Sequence, residues 1–219
     1  MLVLALDAST YDGSVAVLRD GGVVAERTTA MRGEREERLM PAVAGALRDA
    51  GVDVAELDAV ACGAGPGSFT SLRIAASIAK AIAVARDVPL LVAPSPLLVV
   101  AAAEPPLNAE RYLVLMDAMR GDVFAQFVLV DAAGSVVAEA AAWLASRAEA
   151  LDRAGTQGVT VVGPTESPAR SPHARGFARL LPRGVARSVD VSTWEPDYGR
   201  KAEAQVRWEQ AHGRALEVS

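Results

Sequence analysis

The chain has 219 residues, one cysteine, two histidines and a net charge of −5. A single cysteine excludes an internal disulfide framework and any CxxC zinc or redox pair. The acidic balance excludes a stand-alone nucleic-acid binder, which needs a basic excess to displace phosphate counterions.

The first half opens with an apolar run over residues 1–6 that stops at Asp7. It is too short for a secretory core, and no later run reaches the length of a membrane span, so a soluble cytoplasmic protein is expected. A polar loop, a second strand-like run at 15–18, the turn Asp20-Gly21-Gly22 and the run Val23-Val24-Ala25-Glu26 follow. Short β-rich runs joined by an Asp-Gly turn predict an antiparallel meander. Residues 37–50 place Leu39, Val43 and Leu47 at helical spacing, with Gly51 where a left-handed cap belongs and Pro41 against the first turn. A strand is expected at 57–62, a long helix at 69–86 and a further strand at 89–93. Strands alternating with helices after a meander predict an α/β lobe with a mixed sheet.

The second half repeats the pattern. The run 112–116 ends at Asp117, which lies 110 positions after Asp7, and Glu139 lies 113 positions after Glu26. Either the chain is duplicated or two unrelated meanders resemble each other. The proline-marked break at 104–108 separates an N-terminal lobe, 1–104, from a smaller C-terminal lobe, 105–219. A strand is expected at 159–162, and a last helix at 201–212 that returns to the first lobe.

The segment Gly65-Pro66-Gly67-Ser68-Phe69-Thr70, with Arg73 beyond it, precedes the long helix. Its glycines suit either a tight structural turn or an anion cradle at a helix start. No Lys-Ser or Lys-Thr follows, so it is not a P-loop, and a third glycine is missing for a dinucleotide fingerprint. The two histidines, His173 and His212, share no helix face, and no base pairs with Ser68, so neither a zinc peptidase nor a nucleophile triad is expected. No metal or cofactor is predicted. On the long helix Arg73, Ser77 and Lys80 form a narrow polar face. Ile74, Ile78 and Ile82 form one apolar row, and Ser71, Ala75, Ala79 and Ala83 a row of small side chains. That apolar arc exceeds what one sheet requires, so either the 37–50 helix or another protein covers the excess. Arg170, Arg175, Arg179, Arg183 and Arg187 form an acid-free basic stretch, either a solvated face or a contact for nucleic-acid phosphates.

The glycine segment, followed by Leu72-Arg73-Ile74, resembles the signature of the TsaB (YeaZ) family. Four further stretches are similar to that family's motifs and stand in its order: Leu6-Asp7-Ala8-Ser9-Thr10, Glu37-Arg38-Leu39-Met40-Pro41, Asp117-Ala118-Met119-Arg120 and Pro196-Asp197-Tyr198-Gly199-Arg200. The likeness covers residues 1–128 well and scattered points beyond. Arg35 stands where the family often has histidine. Ser71 and Ala75 replace glycines, Met119 replaces arginine, and Gly199 replaces leucine.

The resemblance implies a two-lobed α/β fold of the actin, hexokinase and Hsp70 type, built on ribonuclease-H-like sheets. It implies a non-catalytic scaffold that binds and orders TsaD, the subunit that transfers threonylcarbamoyl to a tRNA adenosine. A TsaE-like ATPase would join the larger complex, tRNA would be met indirectly, and the chain alone could form a homodimer. The implied partner face is Leu39, Met40, Val43, Leu47, Leu72, Ala75, Ala76, Ala79 and Ala83. In that superfamily the first hairpin of each lobe touches nucleotide phosphates, which singles out Asp7, Ser9 and Asp117. Asp7 either holds a hydrated magnesium ion or caps its own turn. The alternative function is a small ATPase or phosphotransferase of the same superfold.

Overall fold

The computed structural model describes residues 1–32, 37–200, 208 and 211–213. The opening run is β1 (Leu2–Asp7). Its period-two alternation is hidden because both faces are buried: Val3 and Ala5 enter one core, Leu2, Leu4 and Leu6 another. β1 pairs antiparallel with β2 (Asp12–Arg19), which pairs with β3 (Gly22–Ala30). The connecting residues Asp20 (φ 52°) and Gly21 (φ 83°) are both left-handed, the combination whose twist matches flanking strands.

Two crossovers then extend the sheet in parallel. α1 (Leu39–Ala50) leads to β4 (Ala59–Gly63), beside β1, and α2 (Phe69–Arg86) leads to β5 (Leu90–Ala93), beside β4. α1 begins two residues later than its apolar spacing suggested. Glu37 lies outside the helix, and its carboxylate accepts the amide hydrogens of Leu39 and Met40. Pro41 falls in the first turn, where an N–H has no helical acceptor to lose. Gly51, at φ 61°, ends the helix as expected.

The seven-residue α3 (Ser95–Ala101) is buried at every position, and the sequence expectations contain no helix there. It lies between the first sheet and a second one. In that second sheet β6 (Arg111–Asp117) pairs antiparallel with β7 (Asp122–Val130), and β7 pairs with β8 (Val136–Ala138) and β9 (Trp143–Ser146). α4 (Arg147–Gln157), started by a reciprocal Ser146–Glu149 cap, crosses to β10 (Thr160–Val162), which runs parallel to β6. Each sheet thus has an antiparallel meander followed by a parallel strand after a helix, the repetition seen in the sequence.

Tyr112, Val114 and Met116 of β6 face α3 and share its core with Val3 and Ala5, while Leu113 and Leu115 pack beneath α4. The layers therefore run α1 and α2, first sheet, α3, second sheet, α4: a two-lobed mixed α/β fold of the expected class. After β10 the chain forms the short α5 (Phe177–Leu180) on α3, and then β11 (Arg187–Val189) pairs antiparallel with β5. The described return to the first lobe is thus made by a strand. The helix expected over 201–212 lies mostly outside the described residues. Among those residues no helix is long and apolar enough to cross a membrane.

Candidate functional site: an interlobe cleft and an apolar helix face

Asp7 ends β1 and is fully buried. Its Oδ1 accepts from the Ser9 amide at 3.0 Å and the Ser9 hydroxyl at 2.8 Å, and its Oδ2 from the Ser95 hydroxyl at 2.6 Å. Ser95 Oγ in turn accepts the Gly65 amide at 3.0 Å. Burial pushes the Asp7 carboxyl up, against the lowering effect of the Ser95 and Ser9 donors. Ser9 in the same turn thus engages Oδ1 and Ser95 engages Oδ2, so both Asp7 oxygens are occupied within the fold.

The glycines serve the same close packing. A Cβ on Gly63 would sit 1.9 Å from Asp7 Oδ2, and one on Gly67 would sit 2.1 Å from the Ser9 carbonyl oxygen. Gly65 adopts φ +84°, and its missing Cβ makes room for the Asp197 carbonyl at 2.1 Å. Pro66 is buried beneath the same tail, where Gly199 passes. Backbone contact between the first hairpin, the glycine segment and the 194–200 tail accounts for these glycines without an anion.

Beside this packing the lobes leave a cleft of about 750 Å³. Ser9, Gly67, Ser68, Phe69 and Thr70 border it from the first lobe, and Asp117, Met119, Arg120 and Phe124 from the second. Tyr11, Asp12, Arg32, Tyr198 and Arg200 also line its rim. Of the three expected phosphate contacts, Ser9 and Asp117 reach the cleft and Asp7 does not. Asp117 accepts from the Tyr11 hydroxyl at 2.6 Å and from the Met119 amide at 2.8 Å. Arg32 lies 3.8 Å over the Tyr11 ring and donates to the Met119 sulfur, so the two opening hairpins are tied across the lobes.

Met119 (φ 65°), Arg120 (φ 59°) and Gly121 (φ 88°) are three successive left-handed residues at the tip of the second hairpin. The two that carry side chains store strain of order 1 kcal/mol each. Arg73 stands outside the cleft, stacked on Phe69 at 4.5 Å, and Phe69 leans on Tyr198 with centroids 4.5 Å apart. Tyr198 and Arg200 belong to a stretch that carried the family likeness, although neither was singled out as a site. Tyr11 and Phe124 had no sequence signal, because only the tertiary fold brings them to one opening.

The helix face requires a correction. Of the nine residues expected to meet a partner, eight are buried inside this chain, and only Met40 is open, at 46% exposure. Ser71, Ala75, Ala79 and Ala83 lie on the first sheet, because small side chains let α2 settle closely on the strands. Leu39, Val43 and Leu47 pack in the same core, with Leu72 also fully buried. What α2 offers outward is the adjacent stripe. Ser77, Ile78, Ala81, Ile82 and Ala85 line a shallow apolar groove with Met40 and Val54, and Val84 beside it is 67% exposed.

The arginine stretch does not form one free basic face. Arg175 pairs with Glu104 at 2.6 Å and Glu26 at 3.3 Å. Arg179 and Arg183 donate to the carbonyls of Gly134 and Ala133 at 3.0 and 2.8 Å. These three bind the C-terminal segment to the lobes. Arg170 is half-buried, and Arg187 is exposed on the edge strand β11.

Both histidines make contacts within the chain. His173 Nδ1 accepts the Arg175 amide at 3.1 Å, so its Nε2 carries the proton that faces Thr28 Oγ1 at 3.3 Å. His212 stacks on Trp208 with centroids 4.3 Å apart. Among the described residues no cluster of His, Cys, Asp or Glu is arranged to hold a metal ion.

Comparison with known proteins follows these features. Residues 9–166 match the profile of the family described as tRNA N6-adenosine threonylcarbamoyltransferase, TsaD. The chain is 34% identical over 124 residues to the Escherichia coli protein named tRNA threonylcarbamoyladenosine biosynthesis protein TsaB, covering 57% of this chain and 53% of that one. It is 37% identical over 90 residues to the Bacillus subtilis protein of the same name, covering 41% and 39%. The matches thus span about half the length of these curated relatives, or less. A crystal structure of YeaZ from Pseudomonas aeruginosa superimposes with a TM-score of 0.72 at 25% identity, over 90% of this chain and all of that one.

Proposed function

We propose, from the premise that this chain belongs to the TsaB (YeaZ) branch of the tRNA N6-adenosine threonylcarbamoyltransferase family, that it is a non-catalytic subunit of tRNA threonylcarbamoyladenosine synthesis. It docks on and orders a TsaD-like catalytic subunit. The observation that carries this reading is the outward apolar groove between α1 and α2, lined by Met40, Val54, Ile78, Ala81, Ile82 and Ala85. Ile78 and Ile82 pack in part against the helix's own core, and the exposed Ala81, Val84 and Ala85 extend that apolar stripe further than seating on one sheet requires. The groove is shallow and nearly free of polar atoms, which suits packing against a helix of another protein. Chemistry is left to the partner: His173 is spent on Arg175 and Thr28, and Asp7 on Ser9 and Ser95. An ATPase contacting phosphates through Asp7 would have to unmake that buried turn.

Co-expression with the TsaD homologue of the same host tests the reading. Ala81→Arg, at an exposed position in the groove, abolishes co-purification and leaves the melting temperature of the free chain unchanged. Undiminished co-purification with that variant, or ATP turnover by the chain alone that disappears with Asp7→Ala, would defeat it. A TsaE-like ATPase and self-association of the free chain through the same groove are further expectations, read from size exclusion of the mixed and single proteins.

A further inference from the structure

The chain carries a net charge of −5, yet among the described residues that border the cleft Arg32, Arg120 and Arg200 stand beside Asp12 and Asp117. Asp117 is already engaged by Tyr11 and Met119. Aromatic rings stand among these arginines. Tyr11 is 39% exposed, with its hydroxyl held by Asp117 and Arg32 lying over one face of its ring. Phe69 is 38% exposed and is held by contacts with Tyr198 and Arg73. Rings already fixed by their neighbours lose little rotamer freedom when a second ring stacks on them. The first turn of the 18-residue α2 opens on the same space, and Ser68 does not cap it, its hydroxyl bonding to Ser71 instead. Fixed aromatics interleaved with arginines are how proteins hold unpaired nucleotides: rings take the base, and guanidinium groups and backbone amides take the phosphates.

We infer that the mouth of the interlobe cleft is an RNA contact, receiving an unpaired nucleotide with its base on Tyr11 and Phe69 and its phosphates on Arg32, Arg200 and the start of α2. The choice of RNA rests on the tRNA reading above, and this contact replaces the Arg170–Arg187 stretch as the place where RNA is met. The arginines stand at the rim, where a polynucleotide backbone passes, and the rings stand within reach of a base turned inward.

Fluorescence anisotropy of a labelled tRNA anticodon stem–loop, titrated with the full chain at several salt concentrations, tests this, and binding by the chain alone would overturn the exclusion drawn from its net charge. Phe69→Leu and Tyr11→Leu each weaken binding roughly 5- to 100-fold, the loss of one stacked base. Tyr11→Phe, which keeps the ring, binds within about 2-fold of the parent, a smaller loss than one hydrogen bond to a charged group. Arg200→Ala lowers the salt slope by about 0.7. If Tyr11→Leu fails to fold, the exposed Phe69 and Arg200 variants decide the matter. Absence of RNA binding by the parent, unchanged affinity in Phe69→Leu and Arg200→Ala, or adenosine monophosphate binding as tightly as the stem–loop would overturn the inference. The same variants still co-purify with the catalytic subunit. Loss of RNA affinity and loss of the partner are thus separate readouts, and either reading can fail alone.

Discussion

Acidification should loosen the C-terminal segment through one side chain. His173 sits where the segment after β10 meets β3, and the neighbouring Ala174 amide donates to Ser14 Oγ at 2.9 Å. Burial, reinforced by the Arg175 charge and opposed by Glu104, depresses the His173 imidazole from 6.5 to about 4. The folded chain therefore resists protonating a group that the unfolded chain protonates readily. Above the unfolded value both states are neutral and the group adds no pH dependence. Between about pH 6.5 and 4 the unfolded state binds more protons, so stability falls as pH falls. With one unit worth about 1.4 kcal/mol, the loss reaches about 2 kcal/mol near pH 5. That figure is an upper one, because the ring is only half-buried. Urea unfolding of the parent and of His173→Gln, each at neutral pH and at about pH 5, isolates the effect, since all other groups are common to both. The parent should lose about 1–2 kcal/mol more than the variant between the two conditions. Equal losses in the two proteins would refute the reasoning.

The remaining expectations concern packing. Gly67→Ala drives a methyl group into the Ser9 carbonyl and should cost about 2 kcal/mol or more, read as a lower urea midpoint. Ala79→Leu, on the row facing the sheet, should destabilise by about 1–3 kcal/mol, whereas Ala81→Leu, two residues on and about 200° round the helix, should stay within about 0.5 kcal/mol. Equal effects at 79 and 81 would mean that α2 is rotated from the position described. Asp7→Asn should cost about 1–3 kcal/mol, because its amide nitrogen must face a Ser9 or Ser95 donor, and thermal melting measures it.

Much of the first lobe was legible because its signals are local. Asp20-Gly21 specified a left-handed turn, Gly51 a helix end, and the run 69–86 a helix with both boundaries as observed. The second lobe was legible mainly as a repeat of the first. α3 escaped because seven consecutive buried positions show no amphipathic period. β9 and α4 also escaped, although Ser146 and Glu149 together spell a capping box. The basic stretch 170–187 was misleading in a physical way. Arginines spaced along a chain show charge, whereas Glu26, Glu104, Ala133 and Gly134, which engage three of them, are far away in sequence.

The amino-acid sequence alone determined the two meanders and the glycine turn, since each depends on residue type at short spacing, and it reached the fold class through the family likeness of those stretches. Only the tertiary structure decided which stripe of α2 looks outward and which residues of the two lobes meet across the cleft. Periodicity shows that a helix has two apolar stripes but not which of them lies on the sheet. Ala79 and Ala81 stand about 200° apart around the helix, and packing alone buries the first and exposes the second.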